Sequence, residues 1–226
     1  MTELWLLRHT VSIWNKEGIH QGQCPNEPGL SPEGIEQAKK IGEFLRWIKI
    51  CGIWTSPLPR AMQLAKIISS YQFALPIIYP EMDLMEWTNG EADGMSFEEI
   101  KKKFPAGWWR WEKRITHIPI FPGGESIENL AARGRKVIYK IMKTASKSKL
   151  CPNYDGIAIA ISHGALNGFT LASWLGIPLK NGVELVPQEN GCINKLRLSG
   201  KRIKVIQPIN ITTHLGDLRN SPDIAV

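Results

Sequence analysis

The sequence predicts an α/β fold: a three-layer sandwich with a mostly parallel central sheet, helices on both faces and a small inserted cap. Three observations carry this reading. Short apolar runs of strand length alternate with longer stretches of helical periodicity, the pattern of strands covered by helices. Two of those runs, far apart in the chain, end on a histidine followed by a small polar residue or glycine, His9-Thr10 and His163-Gly164. The alternation breaks only between about residues 84 and 125, where Gly90, Gly94, Lys101-Lys102-Lys103 and Trp108-Trp109-Arg110-Trp111 stand together.

Taken in order, Leu4–Leu7 is wholly apolar and reads as a buried strand. A polar loop rich in Gly and Pro is expected from about Asn15 to Leu30. Ser31-Pro32 then opens a helix, with Ser as N-cap and Pro at the first helical position. Its apolar face is Ile35, Ala38, Ile41, Leu45 and Ile48, at helical spacing. Gly52–Thr55 is a short strand, and Pro59–Ser70 a helix with Ala61, Leu64, Ala65 and Ile68 facing inward. Pro76–Tyr79 is another brief strand. The segment at about 84–125 is expected as an insertion over the face where the strands end. A long helix follows Gly123-Gly124-Glu125-Ser126 and runs to about Ser146. Gly156–Ile161 is a strand and leads into a helix through Leu175. Cys192–Leu198 and Ile203–Ile209 flank Ser199-Gly200 as a terminal hairpin. No repeat or low-complexity linker divides the chain, so residues 1–226 are expected to form one domain.

Composition narrows the function classes. The 226 residues are 43% hydrophobic and 22% charged, ordinary values for a globular protein with a substantial core. A formal net charge of +7 favours an anionic ligand. The basic residues are spread along the chain, without a tail or a recognisable nucleic-acid module, so nucleic acid is not the expected partner. The longest apolar stretch, 158–179, is interrupted by His163, Asn167 and Pro178, and a membrane partner is not expected either. The chain runs into a strand within a few residues, and no signal peptide is expected. Cys24, Cys51, Cys151 and Cys192 are scattered without a paired spacing and read as reduced thiols of a cytoplasmic protein. A symmetric homodimer is the default expectation for assembly.

The chemistry-bearing residues fall at strand ends, where open α/β sheets bind ligands. Arg8, His9, Asn15, Arg60 and His163 all lie at or just past such an end. Arg60 stands where a strand leads into a helix start, a place that offers free N–H groups and a positive dipole end to an anion. Guanidinium groups match phosphate oxygens geometrically. Either histidine alone would read as a buried core residue or a turn residue. Together with two arginines they suggest phosphoryl chemistry, with His9 as the attacking group. No acidic cluster accompanies the histidines, and the adjacent arginines would repel a cation, so neither a metal nor another cofactor is expected.

The ordered motifs make this more specific. Leu7-Arg8-His9-Thr10, Trp14-Asn15, Gln21-Gly22, Leu30-Ser31-Pro32-Glu33-Gly34, Ser56-Pro57-Leu58-Pro59-Arg60-Ala61-Met62-Gln63, Gly123-Gly124-Glu125-Ser126 and Ser162-His163-Gly164 span most of the chain. In this set the sequence resembles the histidine phosphatase superfamily, whose fold is shared with cofactor-dependent phosphoglycerate mutases. The resemblance implies that His9 becomes a phosphohistidine and that Arg8, Arg60 and His163 bind the phosphoryl group. Asn15, Gln21, Gly22 and Gly164 would complete the substrate pocket. It further implies a proton donor in Glu86-Trp87-Thr88-Asn89-Gly90-Glu91-Ala92-Asp93-Gly94, where Glu86 would protonate the leaving oxygen, Asp83 is the fallback and Trp87 a lid residue. Departures from the family pattern are Thr10 where Gly is commoner, Leu64 where Thr is usual and Ala92 where Trp often stands. None touches the proposed chemistry.

The resulting expectation is a metal-independent phosphomonoester hydrolase acting on a small phosphorylated metabolite. The alternative is a phosphoglycerate mutase, for which Arg110, Lys113 and Arg114 offer a second anion site. Typical mutases of this family carry a long insertion with paired arginines; only 36 residues lie between Glu86 and Gly123 here, without an Arg-Arg pair. A second alternative is a phospho-ligand sensor without turnover. Lys101–Lys103 reads as a solvated helix face, with a substrate-steering patch as the alternative. Trp108, Trp109 and Trp111 read as packing of the inserted segment, with stacking on a substrate ring as the alternative, and His214 as lining the entrance or capping the last strand.

Overall fold

In a computed structural model, described over residues 2–147, 156–200 and 202–219, strand β1 (Thr2–Arg8) lies inside a six-stranded sheet. The order is β4 (Ile78–Pro80), β3 (Ile50–Thr55), β6 (Ile157–Ser162), β1, β7 (Ile193–Ser199), β8 (Arg202–Ile211). The first four are mutually parallel, and the β7–β8 hairpin extends the sheet antiparallel to β1. This is the mixed, mostly parallel sheet that the alternation predicts.

Successive side chains of β1 sort the two cores, because strand residues alternate between faces. Leu4 and Leu6 pack with the helices α6 (Ile127–Lys147) and α7 (Gly164–Leu175) on one side. Trp5 and Leu7 pack with α2 (Pro32–Leu45) and α3 (Pro59–Ser70) on the other. Three layers result. No helix among the described residues is long and apolar enough to cross a membrane.

Helix α2 starts as expected: Ser31 accepts from the backbone N–H of Gly34, and Pro32 occupies the first turn. Its buried face differs from the expected one, because Ile35 is 38% exposed. The reason is Gly34, where a Cβ would fall 1.9 Å from the carbonyl oxygen of Val11. That close approach turns Gly34, Ala38, Ile41 and Leu45 inward and leaves Ile35 on the flank. Gln37 is buried on the same face and repays its polarity by accepting from Val11 N–H (3.0 Å) and donating to the Leu218 carbonyl (2.8 Å).

The segment expected as a loop from Asn15 contains order of its own. Ser12 and Asn15 form a reciprocal capping box on the short helix α1 (Ile13–Glu17). The following β2 (Ile19–His20) pairs antiparallel with β5 (Met95–Ser96). The inserted segment is thereby clipped to the loop after β1. It continues through α4 (Phe97–Lys103) and α5 (Pro105–Glu112), whose apolar side joins the α6–α7 core. Lys101, Lys102 and Lys103 are exposed at the end of α4, as expected, with Glu98 and Glu99 in its first turn. A last short helix, α8 (Gly182–Leu185), packs on α7.

The cysteines require a correction. Cys24 and Cys192 are free, but Cys51, at the start of β3, is disulfide-bonded. Cys151 lies outside the described residues. A structural disulfide is uncommon in a reducing compartment, so cysteine usage no longer argues for the cytoplasm.

Candidate active site

Three adjacent strands, β3, β6 and β1, end at one level. Arg8 stands opposite Ser162, and Thr55 opposite Ile161. The chain then turns out of the sheet at His9 and His163, whose ring centroids are 5.2 Å apart. His9 N–H donates to the Ser162 carbonyl at 3.0 Å, tying the two turns together. Two imidazoles widely separated in sequence thus become neighbours because their strands pair in register.

The ring of His9 is held in one tautomer. Its Nδ1 lies 2.7 Å from the Thr10 carbonyl oxygen, which can only accept, so Nδ1 carries the proton. Nε2 therefore holds a lone pair. Arg60 Nε donates to it at 3.3 Å and to His163 Nδ1 at 3.1 Å. His163 is then protonated on Nε2, which is buried and has no hydrogen-bond partner among the described residues. Burial, joined by the charges of Arg60 and Arg8, holds the His9 imidazole well below its ordinary pKa. Burial, Arg60 and His9 do the same to His163. Both rings are neutral near pH 7.

Arg60 is itself fixed from four directions. Its Nη2 donates to the Gly22 carbonyl at 3.0 Å, and its Nη1 to Glu27, in an ion pair that is almost wholly buried. The other oxygen of Glu27 accepts from the Arg60 backbone N–H at 2.8 Å, at the start of α3. Burial lowers the pKa of Arg60 and Glu27 opposes that shift; an arginine stays cationic in either case. Arg8 donates from Nη1 to the Gln188 carbonyl at 2.6 Å. Gly164 makes room for it, since a Cβ there would approach Arg8 Nε to 3.2 Å.

These groups form the floor of a cavity of about 460 Å³. Arg8, His9, Asn15, Gln21, Gly22, Arg60, Glu86 and Gly164 all line it, so most expected site residues converge. His163 does not: it is fully buried beneath Arg60 and meets that arginine rather than the cavity. Asn15 and Gln21 are oriented by Ser12, whose hydroxyl lies 2.9 Å and 2.8 Å from their side-chain oxygens. Asn190 donates to the same Asn15 oxygen and to the His9 carbonyl, each at 3.3 Å.

Glu86 lines the cavity with its carboxyl group at the start of α7. Its Oε1 accepts from the backbone N–H groups of Trp87 (2.8 Å) and Leu166 (3.1 Å), and Oε2 from Ala165 (3.2 Å). The last two are free donors of the first turn of α7, which satisfy a carboxylate here. Arg133 of α6 gathers the backbone before it, donating to the carbonyls of Asp83, Met85 and Glu86 at 2.9, 2.8 and 3.2 Å. Asp83, the fallback donor, is absent from the lining. Trp87 is buried, lines the cavity, and donates its indole N–H to the Glu125 carbonyl at 2.7 Å.

Several residues here were not singled out by sequence. Glu27 had no motif to mark it. His20 could have been found by its place beside Gln21-Gly22; it lines the cavity, meets Asn89 at 2.7 Å, and burial and Arg60 lower its pKa to about 4. Asp93 ties the loops together, accepting from Gln23 N–H, Asn89 N–H and the Thr88 hydroxyl at 3.1, 3.0 and 2.9 Å. Conversely, His214 does not line the entrance: it lies 3.0 Å from the Gly191 carbonyl and stacks on Phe44 of α2. Trp108 and Trp111 line the cavity, whereas Trp109 is 55% exposed. Arg110, Lys113 and Arg114 stay outside the lining; Arg110 donates to the Ile120 carbonyl and Arg114 pairs with Glu184. Among the described residues no group of three or more His, Cys, Asp or Glu side chains is placed to hold a metal ion.

Comparison with known proteins bears on the family and the fold. The model of the histidine phosphatase superfamily (branch 1) matches residues 4–211. Phosphoserine phosphatase 1 of Hydrogenobacter thermophilus is 29% identical over 96% of this chain and 96% of its own length. A probable phosphoglycerate mutase, GpmB of an Enterobacter strain, is 28% identical over 79% of this chain and 77% of its own. Among solved structures, YhfR of Bacillus stearothermophilus superposes with a TM-score of 0.80 at 22% identity, covering 95% of this chain and all of that one.

Proposed function

The chain belongs to the histidine phosphatase superfamily, branch 1, and from that premise we propose that it releases phosphate from small phosphomonoesters through a phosphohistidine on His9. One observation carries this reading above others. The unprotonated Nε2 of His9 faces the same Arg60 N–H that His163 accepts, so a nucleophilic lone pair and a fixed cation share one point.

In the first step His9 Nε2 attacks phosphorus as the ester P–O bond breaks, and Glu86 gives its proton to the departing oxygen. Oε1 of Glu86 already accepts two N–H bonds and Oε2 only one, so Oε2 is the oxygen that carries that proton. In the second step water attacks the phosphohistidine, Glu86 takes a proton from it, and the P–N bond breaks to free phosphate. Splitting one displacement into two lowers each barrier. Arg8 and Arg60 neutralise the equatorial oxygens without having to reorganise. His163, buried below, positions Arg60. Thr10 fixes the His9 tautomer, with the proton on the nitrogen that does not attack.

A mutase is the second reading, favoured by relatives of that name. It needs a second anion site, and Arg110, Lys113 and Arg114 lie outside the cavity. The test is phosphate release from a panel of phosphomonoesters in excess EDTA, with His9→Ala alongside. Release by the parent and a loss of at least about a thousandfold in the variant support the proposal. Conversion of 3-phosphoglycerate to 2-phosphoglycerate without release makes the protein a mutase, and neither activity leaves the sensor.

A further inference from the structure

The floor and the walls of the cavity differ in kind. Its lining cations, Arg8 and Arg60, both sit at the floor, and Glu86 is the one carboxyl group among the described residues that line it. Above them the walls carry Trp14, Trp87, Phe97, Trp108 and Trp111, together with Ile19. Trp87, Phe97, Trp108 and Trp111 form one connected cluster on the inserted segment, and Trp14 comes from α1. Trp111 lies 5.8 Å from Trp87, 6.3 Å from Trp108, 6.1 Å from Phe97 and 5.4 Å from the His20 ring. Two of the indole N–H groups are already spent, Trp87 on the Glu125 carbonyl and Trp108 on Glu112. Besides His9 at the floor, the remaining polar side chains of the lining are Asn15, His20, Gln21 and Asn89. None is charged near pH 7, because the His20 pKa lies at about 4.

The cations near the insertion are not part of the lining. Arg133 pairs with Glu125 and with backbone carbonyls, Lys101 lies over the Trp108 ring, and Lys103 over Phe104. A leaving group carrying a carboxylate or a second phosphate would lose water on entering and meet no lining cation beyond the two at the floor, which hold the phosphoryl group. An aromatic or aliphatic one would exchange water for ring faces and edges.

Resting on the phosphatase reading above, we infer that the alcohol half of the substrate is an uncharged aromatic or apolar group. Amino-acid and phosphoglycerate esters are then poor substrates. Phe97, Trp108, Trp111 and Trp14 set this specificity, while the arginine floor handles the phosphoryl group of any ester.

The test compares alkyl esters whose leaving oxygens have similar intrinsic reactivity. Initial rates are measured for 2-phenylethyl phosphate, ethyl phosphate, O-phosphoserine and 3-phosphoglycerate. Burial of one phenyl ring raises kcat/KM for the phenylethyl ester roughly tenfold to a hundredfold over the ethyl ester. Phosphoserine and 3-phosphoglycerate fall at or below the ethyl ester. Phe97→Ala lowers the phenylethyl-to-ethyl ratio, and Phe97→Arg raises phosphoserine relative to the phenylethyl ester. A phenylethyl-to-ethyl ratio near one, or an anionic ester as the best substrate, overturns this inference and leaves the phosphatase intact. Release from none of the four esters removes the phosphatase reading and this one with it.

Discussion

Glu27 grips Arg60 at both ends, one carboxylate oxygen on the guanidinium and the other on the backbone N–H. Both side chains are essentially buried. Neither charge would be tolerated there alone, and the pair aims the remaining N–H groups of Arg60 at His9, His163 and Gly22. Removing the carboxylate with Glu27→Ala strands a buried guanidinium. The expected cost is about 3–5 kcal/mol of stability, with kcat/KM falling as Arg60 moves. Chemical denaturation and kinetics of Glu27→Ala and Glu27→Gln check this; the amide, which still accepts from N–H, should lose less of both.

Glu86→Gln keeps the shape and the two backbone contacts made to Oε1, loses the one from Ala165 N–H, and cannot exchange the proton. The expected loss in kcat is about a hundredfold to ten-thousandfold. It should be larger for alkyl esters than for p-nitrophenyl phosphate, whose leaving oxygen needs no proton. Rapid-quench experiments with the latter should also show phosphoenzyme accumulating, because the water-activating step is slowed too. Equal losses on both esters would remove Glu86 from the donor role.

Acid should destabilise the fold through its buried histidines. His9, His20 and His163 all have pKa values lowered chiefly by burial, with Arg60 adding to each. Unfolded histidines take up protons below about pH 6.5 while these do not, so acidification favours the unfolded chain. Their contribution is complete above that pH and declines as pH falls toward the folded-state values. For His20, whose folded value is about 4, the loss reaches roughly 3 kcal/mol. Melting temperatures from pH 7.5 to 5 should fall, and His20→Asn should flatten the slope.

Gly164→Ala separates positioning from stability. A methyl group there would crowd Arg8 Nε at 3.2 Å, and Arg8 is held by the Gln188 carbonyl. Helix α7 begins at this residue and tolerates alanine in its backbone. Displacement of Arg8 should cut kcat/KM about tenfold with little change in Tm. A fall in Tm with unchanged kinetics would show that the glycine serves packing instead.

The framework was legible in sequence because it follows from period and punctuation. Leu4–Leu7, Ser31-Pro32 and the His163-Gly164 turn each state a local rule that the fold obeys. Glu27 was not legible: it lies between Pro25 and Pro28, in a stretch without periodicity, and an acidic side chain there ordinarily means solvent. Only the packing of that loop on the start of α3 buries it. His163 shows the same limit differently. Its motif announced a site residue, yet whether it touches the cavity or stands behind Arg60 depends on side-chain layering that no spacing encodes. Ile35 was misjudged because one glycine contact, Gly34 on Val11, outweighed the apolar period.

The tethering of Glu86 bears on how such a protein diversifies. Its carboxylate hangs from α7 and its backbone from Arg133 of α6, both parts of the sandwich, although in sequence it opens the inserted segment. The aromatic walls come chiefly from α4 and α5 further along. On the proposed roles, reagents and selectivity are therefore mounted on separate supports. Mutation can redraw the walls for a new leaving group while nucleophile, cations and acid keep their alignment, so inheritance of the reaction does not imply inheritance of the metabolite.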